Sequence, residues 1–180
     1  MLHRAAGALK GLIAKRPIIG NGIIFGGLYT SAEFMGQTFN NKISRPVGEK
    51  LPYDTDTLAR YTFMGSCVLP HSLWAFYKVL DAKFIGNAWP MVISKLTIDA
   101  LLVTPVNLTI FYVGMSALEG KEDLLAEWRQ KIFKTFVTAS VFWVPASLIN
   151  FKFLPPQARV IYVGICQLIW VSILCAIKRE

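Results

Sequence analysis

The chain has 180 residues, of which 54% are hydrophobic and 17% charged, and its formal net charge is +8. Soluble domains carry about 25% charged residues, so this deficit excludes a disordered chain and indicates that apolar surface faces lipid. A basic balance is compatible with a nucleic-acid partner, an anionic membrane surface or a targeting segment. The positions of the charges along the chain decide between these classes.

The start of the chain is basic, and its first acidic residue is Glu33. Four basic residues alternate with leucine, isoleucine and alanine: Arg4, Lys10, Lys15 and Arg16. This pattern is typical of a mitochondrial import segment. We therefore expect a transit-like segment over residues 1–16, uncleaved or internal, followed by one transmembrane domain over residues 17–180. The other basic residues flank apolar stretches, so no nucleic-acid contact is expected.

Apolar stretches recur along the rest of the chain. They cover residues 18–39, 58–79, 89–118, 135–151 and 160–177. A membrane span needs about 20 predominantly apolar residues, and only the stretch 135–151 is short for this. Runs of this length must form helices in lipid, because barrel strands have about ten residues of alternating character. The sequence thus predicts an all-α integral membrane bundle of four transmembrane helices, with five as the alternative, in contact with membrane lipid.

Acidic residues mark two predicted helix starts. Asp54 and Asp56 precede the second apolar stretch, and carboxylates are stabilised at a helix N-terminus. Glu122 and Asp123 occupy the equivalent place before the fourth stretch. We expect residues 122–134 to form a short amphipathic surface helix that leads into it.

The first apolar stretch carries Gly22 and Gly26 in a GxxxG pattern. Small residues at this spacing let two helices approach closely in lipid, so this face is expected to pack against another helix. A dinucleotide-binding loop is excluded because the glycine spacing differs and no strand precedes it.

Polar and ionisable side chains inside the predicted spans are the candidate functional residues. Such a charge at mid-bilayer costs about 2.5–3.5 kcal/mol and normally faces protein or water. The candidates for a polar interior are Glu33, Gln37, Arg60, His71, Lys95 and Asp99. Lys95 and Asp99 are four residues apart and share a helix face, as do Glu33 and Gln37. Pro105 is expected to kink the third helix. These residues either line a solute path or clamp the helices together.

The sequence gives little support for catalysis. It has two histidines, no HExxH pattern and no phosphate-binding loop. Its three cysteines lie in apolar stretches without CxxC spacing, so no zinc site is indicated. We expect no enzymatic activity, no cofactor and no bound metal.

Two groups of residues have the spacing of known motifs. Lys95, Asp99 and Pro105 match a K-x3-D-Q-x4-P segment, with Ala100 in place of the glutamine. A later signature is matched by Trp143, Asn150, Phe151, Pro155, Arg159 and Trp170. In these positions the chain resembles the Mpv-seventeen and PMP-twenty-two family of organellar membrane proteins, over about residues 17–170.

The resemblance implies a four-span protein of the inner mitochondrial membrane or, alternatively, of the peroxisomal membrane. It also implies a role in solute conductance, reactive-oxygen metabolism or mitochondrial homeostasis. We therefore expect a small-solute channel or pore regulator, and the alternative is a non-conducting structural or assembly subunit of an inner-membrane complex. A homo-oligomer and a larger membrane complex both remain open as assemblies.

Overall fold

The computed structural model describes residues 17–42, 51–84, 88–153 and 156–179, and these residues form helices and short turns without a strand. We number the helices in chain order: α1 is Pro17–Lys42, α2 covers residues 55–83, α3 is Trp89–Leu118, α4 is Ala126–Phe153 and α5 is Pro156–Arg179. The predicted all-α class is confirmed for this part of the chain. The transit-like segment predicted over residues 1–16 lies outside the described residues.

The start of α2 and the end of α3 follow directly from the local sequence. Asp54 caps α2, because its carboxylate accepts hydrogen bonds from the Thr57 backbone N–H at 2.9 Å and from the Thr57 hydroxyl at 2.7 Å. Asp56 lies in the first turn, where the helix dipole favours a negative charge. Gly120 follows α3 with a φ of 69°, a left-handed conformation that glycine adopts without strain.

Each of α2 and α3 contains one π-helical turn just before a proline. The turn Met64–Val68 precedes Pro70, and the turn Asp99–Val103 precedes Pro105. The residue after each turn donates its N–H to the carbonyl five residues earlier. A proline has no N–H and crowds the carbonyl four residues before it, so the wider turn relieves both effects. The expected disturbance at Pro105 therefore takes the form of a π-helical turn.

The described helices pack in chain order, and α5 returns to pack against α1. One end of this bundle, which we call the polar end, contains the last turns of α1, α3 and α5 and the first turns of α2 and α4. Hydrogen bonds across it join Gln37 to the Asp54 backbone and Lys178 to Glu119. Successive helices therefore run in opposite directions.

The core of the bundle is aromatic and lies next to the polar end. We call Tyr29, Tyr61, Phe111 and Tyr112 the aromatic cluster; each is 4% exposed or less. Their contacting rings have centroids 5.4–6.5 Å apart. Such ring pairs contribute about 0.5–1.5 kcal/mol beyond the area they bury. The segment Trp89–Ile98 of α3, at the opposite end, has no buried residue, so the bundle is packed more tightly near its polar end.

The helices α1 and α2 approach closely through glycine. A Cβ atom added to Gly22 would lie 2.7 Å from the Ser66 carbonyl oxygen, and one added to Gly26 would lie 1.9 Å from the Ser66 hydroxyl. Both distances are too short for a side chain, so this contact requires glycine. Gly27, one residue further, has nothing within 4 Å of the equivalent position. The GxxxG face thus packs against a second helix.

Three segments among the described residues are long and apolar enough to cross a membrane: Trp89–Leu118, Ala126–Ile149 and Tyr162–Arg179. Large apolar side chains also cover the outside of the bundle, and Phe133 and Val141 of α4 are 78% and 70% exposed. Exposed apolar surface of this kind is typical of a surface that meets a membrane or another protein. The chain therefore has the helices of a membrane protein.

The fourth apolar stretch is longer in the structure than the sequence predicted. Residues 122–125 form a turn, and residues 126–134 are the first part of α4, which has 28 residues. The helix predicted over residues 122–134 thus begins at residue 126 and leads into the fourth stretch without a break, so it is part of α4 and not a short helix of its own. Lys131 lies in this first part of α4 and pairs with Glu127 at 3.1 Å, one turn earlier in the same helix.

Candidate functional site

A polar cavity of about 300 Å³ opens at the polar end of the bundle. Its wall is formed by α1, the start of α2, the turn after α3 and the end of α5. The lining residues are Glu33, Gln37, Asn40, Asn41, Leu51, Pro52, Asp54, Thr57, Tyr61, Glu119, Lys178 and Arg179. A cavity of this size is at the lower limit of small-molecule sites.

Glu33 and Arg179 form an ion pair in the wall of this cavity. The Arg179 Nη2 atom donates to the Glu33 Oε1 atom at 2.7 Å and to the Glu33 carbonyl oxygen at 3.3 Å. Glu33 is 2% exposed, whereas the side chain of Arg179 is 34% exposed. The Gln37 amide also donates to Glu33 Oε1, at 3.0 Å. A buried carboxylate is thus held by a partner from the last turn of α5.

Gly36 provides the space for the Arg179 side chain. A Cβ atom added to Gly36 would lie 2.3 Å from Arg179 Nη1 and 2.9 Å from Arg179 Nη2. The guanidinium group therefore lies directly against the backbone of α1. The glycines of α1 therefore make room for two helices, for α2 at Gly22 and Gly26 and for α5 at Gly36.

Lys178 joins α5 to two further helix ends. Its Nζ atom lies 2.9 Å from Glu119 Oε1 and 2.6 Å from Glu127 Oε2. Lys121 contacts the same two carboxylates at 2.7 and 2.8 Å, and Lys131 contacts Glu127 at 3.1 Å. We call these five residues the ion network. It ties the end of α3, the start of α4 and the end of α5 together.

The ion network shifts the pKa values of its members that lie outside the helical spans. Burial favours the neutral form of Glu119, but hydrogen bonds from Lys121 and Lys178 outweigh it and hold the pKa of Glu119 below its ordinary value. Burial also favours neutral Lys121, but hydrogen bonds to Glu119 and Glu127 raise its pKa above the ordinary value. Both groups are therefore charged at neutral pH.

The other predicted interior residues do not join this cavity. Arg60 is half-buried and donates to the Thr57 hydroxyl at 3.4 Å. His71 lies exposed on the outside of α2, and Lys95 is half-buried on the loosely packed part of α3. Asp99 lines a separate cavity of about 40 Å³ between α3 and α4. The structure therefore does not place the predicted residues along one continuous path.

The residues of the family signature are only partly described. Trp143 lines the same small cavity as Asp99, and Trp170 is 6% exposed and stacks on Phe142 with ring centroids 6.0 Å apart. These two tryptophans are therefore packing residues of α4 and α5. Pro155 and the side chains of Asn150, Phe151 and Arg159 lie outside the described part of the structure.

Sequence reasoning missed most of the charged residues at the polar end. The basic residues Lys121, Lys131, Lys178 and Arg179 were interpreted as charges that flank the spans, and the acidic residues Glu119 and Glu127 were assigned no role. The spacing of Glu127 and Lys131 by four residues within a helix was the one local signal for pairing. The contacts of Lys178 and Arg179 connect distant parts of the chain and leave no periodic pattern. Among the described residues, no group of histidine, cysteine, aspartate and glutamate is arranged to hold a metal ion.

The fold and the site together define a class: an α-helical membrane protein whose bundle carries a polar, ion-paired cavity at one end. Comparison with known proteins identifies the family within that class. The Mpv17 / PMP22 family model matches residues 116–175, which include the end of α3, all of α4, most of α5 and four of the five residues of the ion network. The chain belongs to the Mpv17 / PMP22 family.

Several relatives match over most of the chain. The Mpv17-like protein of Xenopus laevis is 28% identical over 166 residues, which cover 92% of this chain and 79% of that protein. Protein SYM1 of Debaryomyces hansenii is 30% identical over 176 residues, covering 88% of this chain and 81% of the relative. PXMP2/4 family protein 4 of Dictyostelium discoideum is 27% identical over 168 residues, which cover 92% of this chain and 89% of that protein. No solved structure matches the chain.

Proposed function

We propose that the chain is a multi-pass organellar membrane protein that conducts small polar solutes, or regulates such a pore, and that all five described helices cross the membrane. Helices α1, α3, α4 and α5 have 26, 30, 28 and 24 residues, and about 20 residues suffice for a span. In the proposed arrangement the whole polar end lies on one side of the membrane, because successive helices run in opposite directions. No catalytic step is part of this proposal.

The observation that supports conduction is the polar cavity. Side chains of α1, α2 and α5 leave a volume of about 300 Å³ that reaches from the polar end to Tyr61. Tyr61 belongs to the aromatic cluster, and we interpret this cluster as the closure of the path. Polar groups at bilayer depth are costly unless they face protein or water, and Glu33 and Gln37 are such groups. We interpret the arrangement as the closed form of a solute path.

The test is the electrical conductance of the purified full chain in planar lipid bilayers. We expect rare openings for the wild type and at least a tenfold higher open probability for Phe111→Ala, which removes one ring of the aromatic cluster. Phe133→Ala is the matched control, because Phe133 is 78% exposed and faces lipid. Silence of both the wild type and Phe111→Ala over a range of voltages would exclude a conducting function.

The aromatic cluster also favours a second candidate, a non-conducting structural or assembly subunit. Phe111 and Tyr112 are 1% and 0% exposed, and the ion network ties three helix ends together. In this interpretation the charges stabilise the bundle and the lipid-facing surface binds a larger inner-membrane complex. Co-purification with such a complex at fixed stoichiometry, together with silent bilayers, would support this function over conduction.

The basic segment 1–16 and the family suggest the inner mitochondrial membrane as the location, with the peroxisomal membrane as the alternative. A role in reactive-oxygen metabolism and mitochondrial homeostasis would follow from solute exchange across that membrane. Imaging of the tagged full chain and of a chain without residues 1–16 tests the location. Loss of mitochondrial signal on deletion supports mitochondria, and an unchanged peroxisomal signal supports the alternative.

A further inference from the structure

The last turn of α5 is held by polar contacts to three other helices. Arg179 donates to the Glu33 carboxylate of α1, and Lys178 donates to one carboxylate at the end of α3 and to another near the start of α4. The carbonyl groups at the end of a helix have no partner within it, and the Lys178 carbonyl oxygen accepts a hydrogen bond from Lys131 of α4. Two consecutive residues therefore connect α5 to the rest of the polar end.

The preceding turns of α5 are held by apolar packing instead. Val171, Leu174 and Cys175 are each 1% exposed or less and belong to the hydrophobic core. The last turn, residues 176–179, buries one apolar side chain, that of Ile177. Segments with few buried apolar contacts open locally at a lower cost than unfolding of the whole protein. The last turn of α5 can therefore open while the helix before it stays packed.

The Arg179 side chain fills a space in the cavity wall that its neighbour on α1 leaves empty. The guanidinium group lies against the backbone of Gly36, where an added Cβ atom would be 2.3 Å from Nη1. Arg179 and Lys178 both line the polar cavity. Departure of the guanidinium group would join its volume to the cavity and admit water to the Glu33 carboxylate. Hydration then limits the cost of leaving this carboxylate without its cation.

Cys175 lies on the inner side of this contact. It precedes Arg179 by four residues, so both side chains share one face of α5. Its thiol lies next to the Glu33 carboxylate and the Tyr61 hydroxyl. We infer that the last turn of α5 is a latch: when Lys178 and Arg179 leave their carboxylates, the polar cavity widens as far as Cys175 while the rest of the bundle stays packed.

The latch rests on the proposed function, because it assigns a regulation to the cavity of the proposed path, but its test needs no current. The cysteines report the movement because their burial differs: Cys67 is exposed, whereas Cys166 and Cys175 are 7% and 1% exposed. The full chain purified in detergent is treated with iodoacetamide, and mass spectrometry follows the modification rate of each cysteine. Cys67 shows that the reagent is active.

The wild type gives the first result. We expect Cys175 to react at least tenfold faster than Cys166, although Cys175 is the less exposed of the two. Opening of the latch exposes Cys175 without unfolding, whereas Cys166 lies nine residues earlier in α5 and is reached only when the bundle loosens. Equal rates at these two cysteines, or a faster reaction of Cys166, would overturn the inference.

Two lysines of the ion network give a matched pair of variants. Lys178→Gln weakens the hold on the last turn and should raise the Cys175 rate at least tenfold, and Arg179→Gln should do the same. Lys121 contacts the same two carboxylates as Lys178, but it lies in the turn after α3. Lys121→Gln should therefore change the Cys175 rate less than twofold, and equal acceleration by both lysine variants would refute the latch. If the α5 variants do not fold, the wild-type rates decide.

The latch and the proposed conduction fail in distinguishable ways. Fast modification of Cys175 in a chain that carries no current in bilayers would support the latch and exclude conduction. Ionic currents from a chain in which Cys175 reacts as slowly as Cys166 would refute the latch and leave conduction standing.

Discussion

Arg179 donates to Glu33 at 2.7 Å although the two residues are 146 positions apart. The contact joins the first described helix to the last turn of the last one, and it is made at a glutamate that is 2% exposed. The pair therefore closes the ring of helices at the polar end. It also holds a carboxylate where an unpaired charge would be costly.

Replacement of Arg179 should destabilise the bundle. Arg179→Met leaves the Glu33 carboxylate buried without its cation, and we expect a loss of about 2 kcal/mol in the free energy of unfolding. This is less than the roughly 3–5 kcal/mol of a fully buried pair, because Arg179 is a third exposed. The measurement is thermal or denaturant unfolding in detergent. The double variant Glu33→Met with Arg179→Met should recover most of the loss, since no charge is left unpaired.

Arg129→Met serves as the control for that experiment. Arg129 and Asp123 form an ion pair whose side chains are 54% and 55% exposed, and exposed pairs contribute about 0–1 kcal/mol. If Arg179→Met is no less stable than Arg129→Met, the structural role assigned to the Glu33–Arg179 pair is wrong.

Gly26→Ala should separate α1 from α2. The added methyl group would lie 1.9 Å from the Ser66 hydroxyl, and overpacking of this kind costs about 1–3 kcal/mol. Because the hydroxyl is the closest atom, Gly26→Ala combined with Ser66→Ala should recover most of the stability in the same unfolding measurement. Ser66→Ala should not recover the stability lost in Gly22→Ala, because the atom nearest to the added methyl group there is the Ser66 backbone oxygen.

Gly27→Ala is the matched control for the glycine face. No atom lies within 4 Å of its Cβ position, so alanine should leave the stability unchanged or raise it slightly through its higher helix propensity. Equal losses for Gly26→Ala and Gly27→Ala would contradict the close contact assigned to Gly26, because helix propensity favours alanine at both positions.

The sequence predicted those features that depend on near neighbours. The helices, the cap at Asp54 and the packing face of Gly22 and Gly26 follow from residues a few positions apart. The π-helical turns were only partly predictable, because Pro105 indicates a disturbance but not whether the helix bends or widens.

The candidate site was less predictable than the helices. Glu33 was identified by its charge in an apolar stretch, but its partner Arg179 lies in the last turn of another helix and carries no local sign of that contact. The aromatic cluster depends in the same way on contacts between three helices. The predicted helix start at Glu122 was four residues early, because the acidic residues that favour a helix N-terminus lie in the turn of residues 122–125. A local charge pattern therefore identifies the charged residues of such a site more easily than it shows which of them form pairs.

The pKa shift of Glu119 predicts a loss of stability in acid. Lys121 and Lys178 hold the pKa of Glu119 below its ordinary value of 4.5. The contribution of Glu119 to the stability is therefore complete above pH 4.5 and is lost as the pH falls through the folded-state pKa. The melting temperature of the wild type should therefore fall more steeply between about pH 6 and about pH 3 than that of Glu119→Gln. Parallel curves would contradict the pairing.

The raised pKa of Lys121 makes the stability depend on pH in the opposite direction. The contribution of Lys121 to the stability is present when the pH is below its ordinary pKa of 10.5. This contribution is lost as the pH rises through the folded-state pKa. Lys121→Met should thus be less stable than the wild type at neutral pH, and this difference should shrink only in strong alkali. Glu122→Gln is the control for both experiments, because Glu122 is exposed and makes no ion pair with a described residue.

Thr109 joins α3 to the start of α4 through a tryptophan. The Trp128 Nε1–H group donates to the Thr109 hydroxyl at 2.9 Å, and this hydroxyl donates to the Pro105 carbonyl oxygen at 2.8 Å. Thr109→Val keeps the shape but removes the acceptor of a half-buried N–H group, which should cost about 1–2 kcal/mol. Thr109→Ser retains both hydrogen bonds and should lose much less. Unfolding in detergent compares the two variants, and a change in Trp128 fluorescence should appear only in Thr109→Val; equal stability of both variants would show that the hydrogen bond contributes nothing.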